Sequence, residues 1–388
     1  ALLRIFAALA RPPHPARPPA LPAKPSILLI RPDHIGDLLF ATPALRVLRN
    51  AFPDAHLTGM VGPWGEAVWK NSPYLDEIIA CSFPAFARRP KTSLLAPYRQ
   101  VQQWATTLRP KRFDISIVLR FDHWWGALLT YMAGIPRRLG YAIPECQPFL
   151  TRAVPYTGLR HEVLQNLTLI EQAVHEAQRH MPEDLSGLEF RIAAEERAHV
   201  ATYLAEHGVT ADHGLVAIHP GAGAPVKQWE PGSFANLADA ISRRSGAKII
   251  ITGSREELDL AWSIHARMRH DPVVAAGETS LAQLAAVFER CRLVIGPDCG
   301  PLHLAVAAGT PTVHLYGPVD PRKFGPWGEP ERHRVITSDR ACVPCNRLDY
   351  SPSELPDHPC IREIAVESVL EAAWGLLREG ASRGTESA

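Results

Sequence analysis

Two acidic turns and one lysine are the residues here best suited to work on a charged substrate. The stretch Gly296-Pro297-Asp298-Cys299-Gly300-Pro301-Leu302-His303 follows a short apolar run and precedes a small-residue run that stops at Gly309. A buried strand, a Gly/Pro turn and a helix start aim backbone N–H groups outward together. With the positive end of the helix dipole, that makes an anion site. Near the start of the chain, Arg31-Pro32-Asp33-His34-Ile35-Gly36-Asp37 stands in the same way behind the apolar run at 27–30. Gly36 permits a sharp turn, and Asp37 falls near a helix start, where an acid is favoured. Two roles are open to Asp37. One is a plain N-cap; the other is a working carboxylate at the end of the first strand, the edge where open α/β sheets bind ligands. Asp33 and His34 share that loop and compete for the second role. The lysine is Lys227, in the Gly-rich segment running from His219 to Trp229. That segment matches neither the dinucleotide fingerprint nor the P-loop, so a nicotinamide oxidoreductase and a P-loop nucleotidase fit poorly. Lys227 is either solvated or a point charge for a phosphate, and an anion site in the same half favours the phosphate.

The elements that must hold these groups alternate. Strands are expected at 27–30, 56–61, 77–80, 113–119, 215–218, 248–251, 292–295 and 312–316. Helices are expected at 38–52, 64–70, 98–108, 125–133, 162–178, 193–207, 233–245, 255–268, 281–290, 302–308 and 366–378. Strand–helix alternation without hairpin signals predicts α/β architecture with parallel sheets. The scheme restarts near 215, which predicts two doubly wound units, 26–195 and 196–378. Residues 1–25, apolar and then Pro-rich, and residues 379–388 are expected to be disordered. First-half loops are expected to carry Arg31, Arg120, His123, Arg137, Arg138, Arg160 and His161, either as solvated surface or as a cleft for an acidic acceptor.

Composition narrows the classes. A chain of 388 residues exceeds what one core usually holds. A formal charge of +1 leaves no footprint for nucleic acid. Seven cysteines, several of them isolated, point to a reducing compartment rather than a disulfide framework, and no stretch is apolar enough to span a bilayer. Cys342-Val343-Pro344-Cys345 with His358 and Cys360 has the ligand types for tetrahedral zinc but not zinc-finger spacing. Free thiols or a redox-labile pair are expected there, with a structural zinc held by Cys342, Cys345, His358 and Cys360 as the weaker alternative. No Asp-x-Asp pair offers to hold a divalent ion.

Several of these segments, in order, resemble glycosyltransferase family 9, the bacterial heptosyltransferases. They are residues 30–37 with Thr42-Pro43-Ala44-Leu45; His219-Pro220-Gly221-Ala222 with Lys227 and Trp229; Gly277-Glu278-Thr279-Ser280-Leu281; Gly296-Pro297-Asp298 to His303; Leu315-Tyr316-Gly317-Pro318; and the Cys342/Cys345 segment. The resemblance implies a GT-B fold, two Rossmann-like doubly wound parallel-sheet domains facing across a cleft. The N-terminal domain would bind acceptor and the C-terminal one the nucleotide sugar. It implies inverting transfer of a sugar, most often heptose from ADP-heptose, onto a lipopolysaccharide core or related glycan. The family's general base falls on Asp37, its lysine on Lys227, and its donor-site Asp and His on Asp298 and His303. The donor set is completed by Gly221, Ala222, Gly223, Thr279, Ser280, Leu281, Gly300, Pro301 and Leu302. Arg31, His34, Arg120 and His123 are the expected acceptor contacts. The only expected small-molecule partner besides the acceptor is the nucleotide sugar, with no cofactor and no obligatory metal. A cytoplasmic place with peripheral contact at the inner membrane follows from a lipid-linked or oligosaccharide acceptor. A GT-B epimerase and a non-catalytic nucleotide-sugar-binding protein are the rivals; the latter would have no need of Asp37.

Overall fold

The computed structural model describes residues 20–84, 86, 95–181, 187–210 and 214–386, with side chains to residue 379. Most of the expected N-terminal extension, residues 1–19, lies outside the described residues. The chain divides into two units, Ala1–Ser186 and Gly187–Ala388, earlier than the expected boundary at 195/196.

The first unit holds strands β1 (Ser26–Arg31), β2 (His56–Val61), β3 (Glu77–Ala80), β4 (Ile115–Val118), β5 (Arg137–Tyr141) and β6 (Arg152–Val154). Its helices are α1 (Ile35–Phe40), α2 (Thr42–Ala51), α3 (Glu66–Trp69), α4 (Ala96–Leu108), α5 (Trp124–Met132) and α6 (Glu162–Glu176). The second unit holds β7 (Leu215–Ile218), β8 (Lys248–Ile251), β9 (Val273–Val274), β10 (Leu293–Pro297), β11 (Thr312–Tyr316) and β12 (His333–Thr337). Its helices are α7 (Ala194–Glu206), α8 (Pro231–Ser245), α9 (Leu258–His265), α10 (Leu281–Arg290), α11 (Gly300–Ala307), α12 (Pro321–Phe324) and α13 (Val366–Glu386).

Every described strand pairing is parallel. One sheet runs β3-β2-β1-β4-β5-β6 and the other β12-β11-β10-β7-β8-β9. Both have the doubly wound order, in which the chain builds outward from a central strand and then restarts on its other side. The restart leaves a crevice beyond the strand ends, between β1 and β4 in one sheet and β7 and β10 in the other. The central strands are buried on both faces, as an all-parallel sheet demands: Ile27 to Ile30 and Leu215 to Ile218 are at most 2% exposed. Each unit closes its own core, around Leu28, Phe83, Trp125 and Phe149 in the first and Ile249, Trp229, Phe234 and Leu293 in the second.

Three expectations about elements are corrected. The helix expected at 38–52 is two, because Pro43 in the first turn of α2 has no N–H to continue α1. Arg137 and Arg138 are not loop residues but open β5; Arg138 is buried and its Nε donates to the Phe149 carbonyl at 2.6 Å. The tail expected to be disordered from 379 continues α13 to Glu386. Among the described residues no helix is long and apolar enough to cross a membrane.

Candidate active site

In the first unit the chain leaves β1 at Arg31 and turns into α1 through 32–34. Asp37 is not the cap of α1: His34 occupies that position and makes no side-chain cap bond. The Asp37 carboxylate accepts instead from Arg31 Nη2 at 3.2 Å. Arg31 is 2% exposed. Nε pairs with Asp33 at 2.7 Å, Nη1 donates to Asn166 Oδ1 at 3.1 Å, and Nη2 is shared between Asp37 and Glu162 Oε2, the latter at 3.1 Å. Asp33 is held from its other side by Arg120, which also donates through Nε to Asp122 at 2.5 Å. These groups gather at the crevice between β1 and β4.

The carboxylates differ in state. Burial works against the charge of Asp33, but Arg31 and Arg120 overcome it and hold its carboxyl below the usual range. Asp37 goes the other way. Burial pushes it up, the charge of Asp33 adds to this, Arg31 opposes, Glu162 adds again, and its pKa comes to about 7. Its side chain is 26% exposed, against 2% for Asp33. Asp37 is thus a carboxylate that reaches solvent and changes charge near neutrality, the profile of a general base. Asp33 is buried, with ion pairs to Arg31 and Arg120.

The expected acceptor contacts fare unequally. Arg31 is buried and pairs with Asp33, Asp37 and Glu162. His123 is buried, ringed by Phe83, Phe86 and Trp125, and burial pushes it down to about 3. His34 is exposed beside Trp64, whose indole N–H donates to the Asp33 carbonyl at 2.8 Å. Arg120 is partly exposed, with its guanidinium over Phe86.

In the second unit the Gly-rich loop leaves β7 and Asp298 follows β10, so both lie at the β7/β10 crevice. Lys227 Nζ donates to Asp298 Oδ2 at 2.6 Å, and His303 Nε2 stands 3.6 Å from Oδ1. Burial works against the Asp298 charge, yet Lys227 and His303 hold it far below the usual carboxylate range. A Cβ at Gly296 would fall 2.3 Å from the His219 carbonyl oxygen, so glycine lets the two central strand ends approach. Gly221 leaves room for the Glu257 carboxylate, which an added Cβ would meet at 1.8 Å. Glu257 also accepts from the Ser254 N–H at 2.7 Å in a capping box. It was not anticipated, although Ser-x-x-Glu was its signal. Ala222 is half-buried and Gly223 exposed. Thr279 and Leu281 flank Ser280, whose hydroxyl caps α10 by accepting from the Gln283 N–H at 3.2 Å. That turn lies alongside the Ser254 turn, since Gly277 donates to the Gly253 carbonyl.

The turn into α11 offers fewer donors than expected. Pro301 has no N–H, and the N–H groups of Leu302 and His303 turn back to the Cys299 carbonyl, at 3.2 and 3.4 Å. Gly300 at the head of α11 is the position left to donate. Burial pushes the Cys299 thiol up to about 12. Trp229 is a core residue, its indole N–H bonded to the Ile364 carbonyl.

The four residues of the zinc alternative, Cys342, Cys345, His358 and Cys360, line one small pocket. Cys342 and Cys345 are exposed, Cys360 is buried, and the His358 ring lies tilted against Tyr350 with centroids 3.8 Å apart. Among the described residues no three His, Cys, Asp or Glu side chains converge to hold a metal ion. All seven cysteines are free thiols.

The comparisons with known proteins agree with this geometry. The family model for glycosyltransferase family 9 (heptosyltransferase) matches residues 101–352. Lipopolysaccharide heptosyltransferase 2 of Salmonella typhimurium is 24% identical over 365 residues, covering 91% of this chain and 99% of that protein. A family 9 glycosyl transferase structure from Veillonella parvula superposes with a TM-score of 0.77 at 26% identity, over 93% of this chain and 100% of that one. E. coli ADP-heptose lps heptosyltransferase II does so with a TM-score of 0.72 at 23% identity, over 91% and 99%. The paired doubly wound units are those of the GT-B fold. With a family match that runs from the first unit deep into the second, the chain belongs to glycosyltransferase family 9.

Proposed function

We propose that this enzyme transfers heptose from ADP-heptose to a sugar hydroxyl of a lipopolysaccharide core acceptor, with inversion at the anomeric carbon. The observation that carries the reading is Asp37: a partly exposed carboxylate at the β1/β4 crevice, seated on Arg31 and ionising near neutrality. The acceptor hydroxyl attacks the anomeric carbon while its proton passes to Asp37, and the bond from that carbon to the diphosphate oxygen breaks. The departing ADP carries the growing charge. Lys227, which is bonded to Asp298, and the Gly300 N–H at the head of α11 would meet it. His34 and Arg120 are the proposed acceptor contacts. Residues 221–223, 279–281 and 300–303 with Asp298 frame the donor. The N-terminal unit is the acceptor side and the C-terminal unit the donor side. The relatives named above support both substrates, and a lipid-linked acceptor would bring the enzyme to a membrane surface. Lys227 would supply the positive charge for the diphosphate, and no metal is proposed for the donor site.

The test is Asp37→Asn. Transfer is expected to fall at least a thousandfold, while ADP affinity by calorimetry in EDTA stays within about twofold. Near-normal turnover removes Asp37 from the reaction. ADP binding that appears only on adding a divalent ion overturns the metal-free donor site.

A further inference from the structure

Two side chains outside the reaction steps lie against the Arg31 guanidinium. Glu162 and Asn166 stand one turn apart on the same face of α6. Glu162 accepts from Nη2 and Asn166 from Nη1, both at 3.1 Å. The Asn166 amide also donates to the carbonyl of Phe40 at 3.2 Å, at the end of the helix that carries Asp37. One face of α6 thus grips both the guanidinium and α1. Arg31 meets Asp33, Asp37 and Glu162, while Arg120 meets Asp33 and Asp122. Carboxylates therefore outnumber guanidinium groups in this cluster. Arginine does not give up its proton, so the excess negative charge is relieved where a carboxylate takes a proton. Of the three carboxylates on Arg31, Asp37 is the most exposed, at 26% against 6% for Glu162 and 2% for Asp33; Asp122, 42% exposed, touches Arg120 and not Arg31.

We infer that Glu162 and Asn166 are positioning residues that hold Arg31 beneath Asp37 and set how readily that carboxylate takes a proton. The inference rests on the reading of Asp37 as general base. The charged and titratable groups around Asp37 are Arg31 on β1, Asp33 and His34 in the loop, Arg120 beyond β4, and Glu162 with His161 at the head of α6. Of these, Asp33 and Glu162 push protonation toward higher pH, and Arg31 and Arg120 push it lower.

Two substitutions of opposite sign test it. Glu162→Gln keeps the shape and an acceptor for Arg31 but removes the charge. It is expected to move the acid limb of kcat/KM, measured with ADP-heptose and deacylated core oligosaccharide, about one pH unit toward acid. Asn166→Asp adds a carboxylate to the same guanidinium and is expected to move the limb about as far toward alkali. Residues that merely prop the helix would lower the rate in both variants and move the limb in neither, which would overturn the inference. The same pKa is read without turnover by carbon-13 NMR of protein labelled at aspartate γ-carboxyls, with the Asp37 signal identified by its loss in Asp37→Asn. An Asp37 signal that titrates unchanged in Glu162→Gln overturns the inference whatever the activity does. Near-normal turnover by Asp37→Asn removes the base reading instead, and a shifted signal then still supports the charge coupling.

Discussion

At the scale of single residues, the two crevices use carboxylates in opposite ways. Asp298 is locked as an anion by Lys227 and His303; Asp37 is held near its point of ionisation. Two pH effects follow. If ionised Asp37 takes the acceptor proton, kcat/KM is expected to rise with pH through about 7 and level off above it; a flat profile from pH 5 to 9 would exclude that. Stability moves the other way. The folded pKa of Asp37 lies above its ordinary 3.8, so the folded state holds a proton that the unfolded chain has lost between these values. Its contribution is full below about pH 4 and is lost as pH rises through 7. Asp37→Asn is therefore expected to melt above the wild type at pH 8, with the gap closing toward pH 4.5. Asp298 has the reverse sign, stabilising above its ordinary value and losing that as pH falls. Truncating Lys227 leaves Asp298 buried without its ammonium partner, beside His303 and the Tyr316 hydroxyl. Lys227→Ala is expected to cost about 3 kcal/mol in denaturant unfolding at pH 7, much of it recovered when Asp298→Ala is added. No recovery in the double variant would mean that the pair is not coupled.

At the scale of elements, close backbone approach places the donor side. The Gly296 position touches the His219 carbonyl and the Leu302 side chain. Gly296→Ala is expected to destabilise by about 2–3 kcal/mol, because the His219 backbone, bonded through its N–H to the Ile295 carbonyl, cannot easily step aside. Gly221→Ala meets only the flexible end of Glu257, and its cost is expected to be smaller; equal melting losses for the two would contradict this. The same contrast between rigid centre and yielding edge explains what was legible in the sequence. Strands β1, β2, β3, β7, β8 and β11 announce themselves as apolar runs, most of them deeply buried. Strands β5, β6, β9 and β12 do not, being short or mixing arginine and histidine with apolar residues. Asp37, Lys227 and Asp298 were legible because each follows a central strand. Glu162 and Asn166 were not, since 131 and 135 residues separate them from the arginine they hold. Only the fold brings α6 back onto β1.

At the scale of the whole molecule, one strand order is used twice, and each copy carries one half of the proposed chemistry at its own switch point. The base and its supporting charges belong entirely to the first unit, and Lys227, Asp298 and the head of α11 entirely to the second. Each unit also has its own sheet and its own buried core. A ligand held by one unit should therefore stabilise that unit and not its neighbour. With ADP at a hundredfold its dissociation constant, mass action adds about 2.7 kcal/mol to whichever folded unit binds it. In calorimetry of the full chain, ADP is expected to raise the transition that Lys227→Ala lowers and leave the other in place. If instead both melt as one peak that shifts as a whole, the units unfold as a single cooperative block. The Lys227→Ala chain then separates the cases again, because loss of the ADP shift there still assigns the nucleotide to the second unit, whereas an undiminished shift removes the nucleotide from the β7/β10 crevice.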